Sequence, residues 1–471
     1  MVISPQFRPP LDPEFVPAAL WNRNYRAKVV ETGGQRLSIA LTRGDDSVSV
    51  YRTSILPHEG ANVPLNERYV ERLLKFLLWQ KGGCLATITG DPRITGFLRT
   101  VYSPYGPRAF DREFMGGRIY GRPFRIEWAD TAPLESDRAA PLGRHLGGCR
   151  IGFDLGASDR KCAAAIDGEV VFSEEVAWDP SVQPDPQYHF DGIDDSLKRA
   201  AARLPRVDAI GGSSAGVYVN NEVRAASLFR AVPRALFDSR VRRLFFELQA
   251  AWGGVPFDVV NDGEVTALAG SMALNDNAVL GIAMGSSLAA GYVTPQGNIT
   301  AWLNELAFTP VDYREDAPLD EWSGDRGVGA QYSSQQAVGR LLAPAGIDLP
   351  GEMPLPLKLV EVQKLVAAGD DRARRIYETI GVFFGYNIAH YADFYDIRNL
   401  LVLGRVMTGE GGNLILSVAG KVLREEFPEL SERIRFHIPD EKEKRHGQAV
   451  AAASLPSIAG QAHEEAGNAV S

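Results

Sequence analysis

The chain has 471 residues and a mass of 51.3 kDa, enough for about three ordinary domains. Hydrophobic residues make up 45% and charged residues 23%, which excludes a disordered chain or a long coiled coil. Lys and Arg total 50 against 59 Asp and Glu, a net charge of −9, so the chain is a poor candidate for bulk nucleic-acid binding.

The charge is uneven. Residues 1–150 carry 21 basic and 15 acidic side chains, and the remainder carries 29 and 44. The basic first third suits an acidic neighbour, the rest of the chain included. Cys84, Cys149 and Cys162 are far apart and form no CxxC pair. That pattern suits a reducing compartment and argues against a disulfide framework or a thiolate zinc site. Met1–Pro10 has no apolar core of signal-peptide length. The apolar run Ala278–Val293 contains two serines and three glycines and is too short to cross a bilayer. The expected location is the cytoplasm, with no membrane partner and no nucleic acid.

In chain order, residues 1–20 contain five prolines and read as an extended arm. Alternating patterns at Arg36–Thr42 and Ser47–Tyr51 predict strands. Asn66–Gln80 predicts an amphipathic helix, capped by Asn66 and ended by Gly82-Gly83. Short strand-like pieces follow to Trp128, and 129–149 reads as a linker. From Arg150 the texture becomes mixed α/β. Strands are expected at Ile151–Leu155, Lys161–Ile166 and Glu169–Ser173, the last pair joined by the Asp167-Gly168 turn. Further strands are expected at Val207–Gly211, Asp258–Asn261, Val279–Met284, Leu288–Val293 and Leu400–Leu403. Helices are expected at about 192–203, 222–252, 263–274, 329–342, 358–367, 370–392, 411–427 and 446–459.

Five segments carry candidate chemistry. Asp154-Leu-Gly156-Ala-Ser158-Asp-Arg-Lys161 is a Gly turn between strands, whose amides and Ser158 hydroxyl suit a phosphate tail. Asp154 suits a metal-bound water beside it. The same residues also make an ordinary β-turn with a capping Asp. Asn261-Asp262 ends a buried strand where α/β proteins bind ligands. Asp262 there can accept a proton from a hydroxyl, or it can simply cap the next helix. Gly285-Ser286-Ser287 joins two apolar strands as a second phosphate-type turn or a plain hairpin. Glu305 stands in an apolar setting, as a sugar contact or a solvated strand end. Gly404-Arg405 follows a strand and suits an adenosine contact or a strand-to-helix turn.

The order of these segments resembles the sugar kinase, heat-shock protein 70 and actin superfamily. Within it, Arg150 to about Ile458 resembles the ROK family of sugar kinases and sugar-responsive regulators. Asp154-Leu-Gly156-Ala-Ser158 resembles the family's Asp-x-Gly-Gly-Thr loop. Gly211-Gly-Ser213-Ser214-Ala-Gly216 resembles its Gly-Ser-Pro-Gly segment beside the sugar. Asn261-Asp262 resembles the start of Asn-Asp-Ala-Asn, where the Asp is the base and the Asn binds the sugar. Gly285-Ser286 to Gly291 resembles the second phosphate loop. Asn304-Glu305-Leu-Ala-Phe308-Thr-Pro-Val resembles Gly-Glu-x-Gly-His-x-Pro-Val, whose Glu binds the sugar. Val402-Leu-Gly404 resembles the adenosine-side Val-Leu-Gly-Gly, and Gly447–Ala453 the last helix, which returns to the first lobe.

The sequence also departs from that family. Its zinc ligands, a His and three Cys, correspond to Phe308, Glu321, Ser323 and Val328, so no zinc is expected. Glu264 replaces the second Asn of the base motif. Ser287, Ala289 and Ala290 replace phosphate-loop glycines, and a Cβ there can obstruct a phosphate. Arg405 replaces a Gly and can stack on adenine or block it. No helix-turn-helix is visible in 1–149, unlike the family's repressors.

The resemblance implies a two-lobed actin-like (ribonuclease H-like) α/β ATPase fold, with an extra N-terminal α+β domain. The expected division is 1–149 as an accessory domain, 150–262 plus about 440–471 as the first lobe, and 263–439 as the second. The implied activity is ATP-dependent phosphorylation of a sugar hydroxyl, with Asp262 as base and Asn261, Glu305, Ser214 and Gly216 on the sugar. Asp154, Gly156, Ser158, Lys161, Gly285, Ser286, Ser287, Gly404 and Arg405 would serve ATP, with Mg²⁺ held through water at Asp154. The alternative is an inactive ROK-type sugar sensor that uses residues 1–149 to contact a partner. The resemblance also implies a homodimer. Residues 1–149 read as a packing or dimerisation domain, or as a second catalytic module.

Overall fold

Prolines keep residues 3–17 free of helix and strand, but at Ala18 the chain turns helical. The computed structural model describes residues 3–137, 142–156, 158–438 and 441–458. Helix α1 (Ala18–Thr32) stands where no helix is predicted, its first three residues falling within the expected extended arm. Its stripe is blurred, because Asn22 lies on the buried face while Val30 is exposed. The strands β1 (Gln35–Thr42) and β2 (Val48–Ile55) follow as the pattern predicts. Helix α2 (Val63–Lys81) starts earlier than expected, with Pro64 in its first turn. Asn66 is therefore not its cap. It is fully buried, accepts from the Tyr25 hydroxyl at 2.6 Å and donates to the Leu56 carbonyl at 2.9 Å.

Beyond β3 (Leu85–Thr89) the structure is mostly helical rather than stranded: α3 (Pro92–Val101), α4 (Ala109–Glu113) and a π-helical stretch Phe114–Tyr120. Strand β4 (Arg125–Trp128) completes a sheet of order β2-β1-β3-β4.

The chain divides into two compact units. One holds 1–138, 282–290 and 302–437; the other holds 139–281, 291–301 and 438–471. The N-terminal segment is thus grouped with 302–437 rather than standing apart, and buried ion pairs and aromatic packing both join it there. Lys75 of α2, with no exposure, pairs with both oxygens of Asp111 at 2.9 Å and with Asp325. Arg108 pairs with Glu71 at 2.5 Å and also with Asp325. Aromatic packing follows the same path: Trp79 lies 4.4 Å from Phe308 between ring centroids.

In the second unit, β5 (Cys149–Leu155), β6 (Asp159–Ile166) and β7 (Glu169–Ala177) form an antiparallel meander. Asp167 and Gly168, both at positive φ, make the expected tight turn between β6 and β7. Next come α5 (Pro186–Ala201), β8 (Ala209–Ser214), β9 (Val217–Val219) and β10 (Glu222–Ala225). The helix expected over 222–252 is interrupted. Asn220 and Asn221, both left-handed, turn β9 back onto β10, and only α6 (Arg234–Ser239) and α7 (Leu244–Ala251) are helical. Strand β11 (Phe257–Asn261) leads directly into α8 (Asp262–Leu274). The sheet order is β11-β8-β5-β6-β7, with β11, β8 and β5 parallel.

The strands β12 (Val279–Met284) and β13 (Leu288–Val293) match expectation, and the boundary between the units runs through both. The first unit resumes with α9 (Gln335–Ala345), α10 (Leu355–Ala367), α11 (Asp371–Tyr391) and β14 (Asn399–Leu403), then α12 (Gly409–Glu426), α13 (Pro428–Arg433) and β15 (Arg435–His437). The sheet order there is β13-β12-β14-β15.

Helix α14 (Glu441–Ala453) belongs to the second unit and packs on β5 and β8. Gly152 and Gly211 make this possible, since a Cβ on either would strike the Ala449 or Ala452 carbonyl. Residues 459–471 of the expected first lobe, and Ala157 of the first loop, lie outside the described residues. Among the described residues, no helix is long and apolar enough to cross a membrane.

Replacing Lys75 with Met leaves Asp111 and Asp325 sharing a dry site without their common cation. Breaking a buried pair in this way costs about 3–5 kcal/mol. Urea denaturation is expected to show a loss of that size; a loss below about 1 kcal/mol, the range of an exposed pair, would contradict the role given to Lys75.

Candidate functional site

Three parallel strands end together in the second unit. The register aligns Leu155 of β5 with Ser214 of β8, and Ser214 with Asn261 of β11. Asp154, Ser214, Gly216, Asn261 and Asp262 therefore gather at the carboxyl end of one sheet. That is where open α/β sheets present ligand-binding side chains.

Each of these residues is held by a specific bond. The Ser213 hydroxyl, on the register partner of Asp154, donates to Asp154 Oδ1 at 2.6 Å. On the other side, Lys161 of β6 lies 3.9 Å from Asp154 Oδ2 and 3.0 Å from Asp159 Oδ1. Asn261 caps α8 by accepting from the Gly263 amide at 2.8 Å, and it donates to the Gly216 carbonyl at 2.6 Å. Gly216 has φ 133, and a Cβ there would strike the Ala225 carbonyl. The Tyr218 hydroxyl donates to Ser214 Oγ at 2.6 Å.

Asp262 is half-buried, and its Oδ1 accepts from the Gly263 amide at 3.0 Å. Burial, with Asp154 adding like charge, pushes its carboxyl up to about 6. The carboxyl of Asp154 is raised as well, chiefly by burial, although the Ser213 hydroxyl and Lys161 oppose the shift. A carboxylate that titrates near 6 is ionised at neutral pH and basic enough to take a proton.

Gly291 and Glu264 fix the start of α8. A Cβ on Gly291 would run into the Gly263 carbonyl, and the buried Glu264 accepts from the Tyr292 amide at 3.2 Å. Gly291 thus serves helix packing, a role its place in the loop pattern does not reveal.

The first loop is partly self-satisfied. The Gly156 amide donates to the Asp159 carbonyl at 2.9 Å, and the exposed Ser158 hydroxyl donates to Asp159 at 2.9 Å. Trp178 takes up the carbonyls of Gly156 and Ser158. Sequence reasoning left Ser213, Tyr218 and Asp159 out of the site. The strand register would have found Ser213; no local signal marks Tyr218.

The remaining predicted residues lie in the first unit. The Gly285 amide donates to the Ser287 carbonyl at 2.9 Å, and Ser286 and Ser287 are exposed. Gly404, at φ 103, presses against the Met284 backbone, so the 285–287 turn and the 404–405 turn are neighbours. The Arg405 residue is exposed, and its carbonyl accepts from Gln363 at 2.9 Å. Glu305 is half-buried, and its amide donates to the Trp79 carbonyl at 3.0 Å.

Of the four positions that correspond to zinc ligands, Phe308 stacks among Trp79, Phe110 and Trp322, and Val328 is fully buried. The Ser323 hydroxyl donates to Asp320 at 2.7 Å. Glu321 is exposed. Among the described residues, no three His, Cys, Asp or Glu side chains are arranged to hold a metal.

No family model matches the sequence, and no curated protein matches it. Solved structures do. A ROK hexokinase from Thermus thermophilus aligns over 64% of this chain and 97% of its own, at 17% identity and a TM-score of 0.51. A ROK family transcriptional regulator, described as a homologue of the E. coli Mlc protein, aligns over 78% of this chain and 89% of its own, at 18% identity and a TM-score of 0.52. The fold is therefore the actin-like α/β fold of the ROK proteins, as the resemblance implied.

Two outcomes follow from this geometry. The folded state holds the Asp262 proton more tightly than an unfolded chain, whose carboxyl titrates near 3.8. Its charge therefore costs stability as pH rises from about 4 to 6, and the full cost is present above 6. Asp262→Asn is expected to raise the melting temperature at pH 8, with the gain shrinking as the pH falls through 6; an equal gain at pH 8 and pH 4 would contradict the shifted carboxyl. Gly291→Ala forces α8 away from β13, and overpacking of this kind costs about 1–3 kcal/mol. Denaturation is expected to show that loss, whereas Ala289→Gly, at a half-buried position, is expected to cost less.

Proposed function

We propose that this chain transfers the γ-phosphate of ATP to a hydroxyl of a hexose or related sugar. The observation that carries the reading is Asp262, a carboxylate raised to about 6 at the shared end of β5, β8 and β11.

Asp262 accepts the proton of the attacking hydroxyl. Its anchored Oδ1, held by the Gly263 amide, limits the rotamers it can adopt. Asn261 is fixed by its bonds to Gly216 and Gly263 and offers its side chain to the sugar with Gly216 beside it, whereas Ser214 is fully buried under the Tyr218 hydroxyl and is expected to support this wall from behind. Glu305 serves as a further sugar contact. Phosphoryl transfer requires little covalent chemistry from the protein, so positioning and charge carry most of the rate. In this reading Lys161 and the Ser158 turn of the second unit serve ATP, and the Gly285–Ser287 and Gly404–Arg405 turns of the first unit are assigned to ATP as well.

The donor set fits Mg²⁺. Asp154 is a hard oxygen ligand whose second oxygen lies 3.9 Å from Lys161 among the described residues, and Mg²⁺ commonly binds through one or two carboxylates and retained waters. When bound, the ion would neutralise phosphate charge.

A second reading is a sugar sensor without turnover. The regulator's fold covers 78% of this chain against 64% for the hexokinase, and Ala289 and Ala290 stand where phosphate-loop glycines are expected.

Thermal melting with Mg-ATP and a panel of hexoses, amino sugars, N-acetylated sugars and polyols separates the two readings. A ligand at a hundred times its Kd stabilises by about 2.7 kcal/mol. A kinase shifts with Mg-ATP and with one sugar; a sensor shifts with the sugar alone. In the kinase, Asp262→Asn is expected to abolish turnover and spare sugar binding, and kcat/KM is expected to rise with pH through about 6. Near-normal turnover in Asp262→Asn would remove the assignment.

A further inference from the structure

We infer that helix α2 is the element that positions Glu305, with Trp79 and Lys75 as its positioning residues. The inference rests on the reading of Glu305 as a sugar contact.

The last turn of any helix leaves carbonyls without partners inside the helix. In α2 two of these are taken by the Glu305 loop. The Asn304 amide donates to the Gln80 carbonyl at 3.0 Å, and the Glu305 amide to the Trp79 carbonyl at 3.0 Å. The Leu78 carbonyl is taken by Gly82. The loop backbone is thus an extension of the end of α2.

Asn304 sits at φ 50, in the left-handed region, which reverses the chain just before Glu305. It is almost fully buried, and its side chain accepts from the Tyr395 hydroxyl at 2.8 Å. Three residues beyond Glu305, Phe308 packs on the Trp79 ring. Trp79 therefore holds the loop twice, by its carbonyl and by its ring.

Trp79 is itself fixed from below. Its indole Nε1 donates to Asp111 Oδ1 at 2.8 Å. That carboxylate is paired with Lys75, one helical turn earlier on α2, and Lys75 also grips Asp325. Lys75, Trp79 and Asp111 have no exposure. Rotation of α2 or sliding along its axis would break these bonds together, so the helix end has one position and Glu305 follows it. Residues 1–137 then have a role in substrate recognition without touching the substrate.

The test is Trp79→Phe, which keeps the aromatic packing but removes the donor to Asp111. Amide hydrogen exchange is followed across 303–308 and across α8, together with the affinities for the sugar found by melting and for Mg-ATP. A lost hydrogen bond to a charged group is worth about tenfold or more. Exchange in 303–308 is expected to quicken about tenfold while α8 is unchanged, and the sugar Kd to rise similarly with Mg-ATP affinity unaltered. Unchanged exchange in 303–308, or equal quickening in α8, overturns the inference.

If Trp79→Phe does not fold, the wild-type protein decides. The Asn304 and Glu305 amides are expected to exchange in step with the last turn of α2; independent exchange overturns the inference. The exchange readout needs no substrate, so a wild-type protein that binds no sugar would remove the kinase reading and leave this result standing on its own.

Discussion

A lysine ammonium with no access to water organises the first unit. Moving such a charge out of water costs several kcal/mol even after relaxation, so Lys75 is tolerated only because Asp111 and Asp325 are both against it. The acids need a second cation, and Arg108 supplies it while also engaging Glu71. Lys75 and Arg108 hold the Asp325 carboxyl below its usual range, against the effect of burial. At Asp111 burial prevails and the carboxyl is raised. The members come from α2, from the start of α4 and from the loop before α9. Lys75, Arg108, Asp111 and Asp325 each find a partner on another segment. This mutual dependence makes residues 1–138 part of a larger unit rather than an appendage.

The second unit solves a different problem, that of holding partly buried carboxylates at the carboxyl end of an apolar sheet. Its core lies beneath β5, β8 and β11, with Ile151, Phe153, Ile210, Phe245 and Phe257 packed together. The polar residues begin where that core ends. The charge of Asp154 adds to burial in raising the proton affinity of Asp262, whereas Asp154 itself has a serine and a lysine that oppose its own shift. The difference divides the labour between two chemically identical groups. One is partly neutralised and suited to charge pairing, and the other remains basic.

The legible parts of the sequence are those whose information is local. β12 and β13 fall where the apolar runs place them, and α2, α8, α10 and α11 fall within a few residues. Asp154, Asn261 and Asp262 are legible as strand-end residues because the apolar pieces Ile151–Phe153 and Val259–Val260 run directly into them. The failures are of another kind. Asn66 looks like a cap from its neighbours, but its partners Tyr25 and Leu56 are distant or unpredictable contacts. Helix α4 and the π-helical stretch are built around Trp79, Phe114 and Asp111, so their stability comes from tertiary packing that no short window reports. Strand β10, which stands where the expected helix would begin, follows two adjacent asparagines, a turn cue outweighed by the apolar pattern beyond them. The bond from Ser213 to Asp154 depends on strand register, which composition does not encode.

Retained glycines are a weak guide to nucleotide binding in this chain, because the fold needs several of them for itself. Gly291 is required by the Gly263 carbonyl and Gly404 by the Met284 backbone, whether or not a phosphate ever approaches. Gly285 differs. A Cβ there would meet only the Ser287 carbonyl, at an ordinary 3.7 Å, and its φ is not in the left-handed region. Packing therefore gives no reason for glycine at 285, in contrast to Gly291 and Gly404. The adjacent Ser286 and Ser287 are exposed and spend no side chain on the core. Ala289 and Ala290 belong to β13, beyond this turn, so their methyl groups change the strand rather than the turn itself. On this argument the choice between a kinase and a sensor depends less on the lost glycines than on what the 285–287 turn and the exposed Arg405 do with a triphosphate.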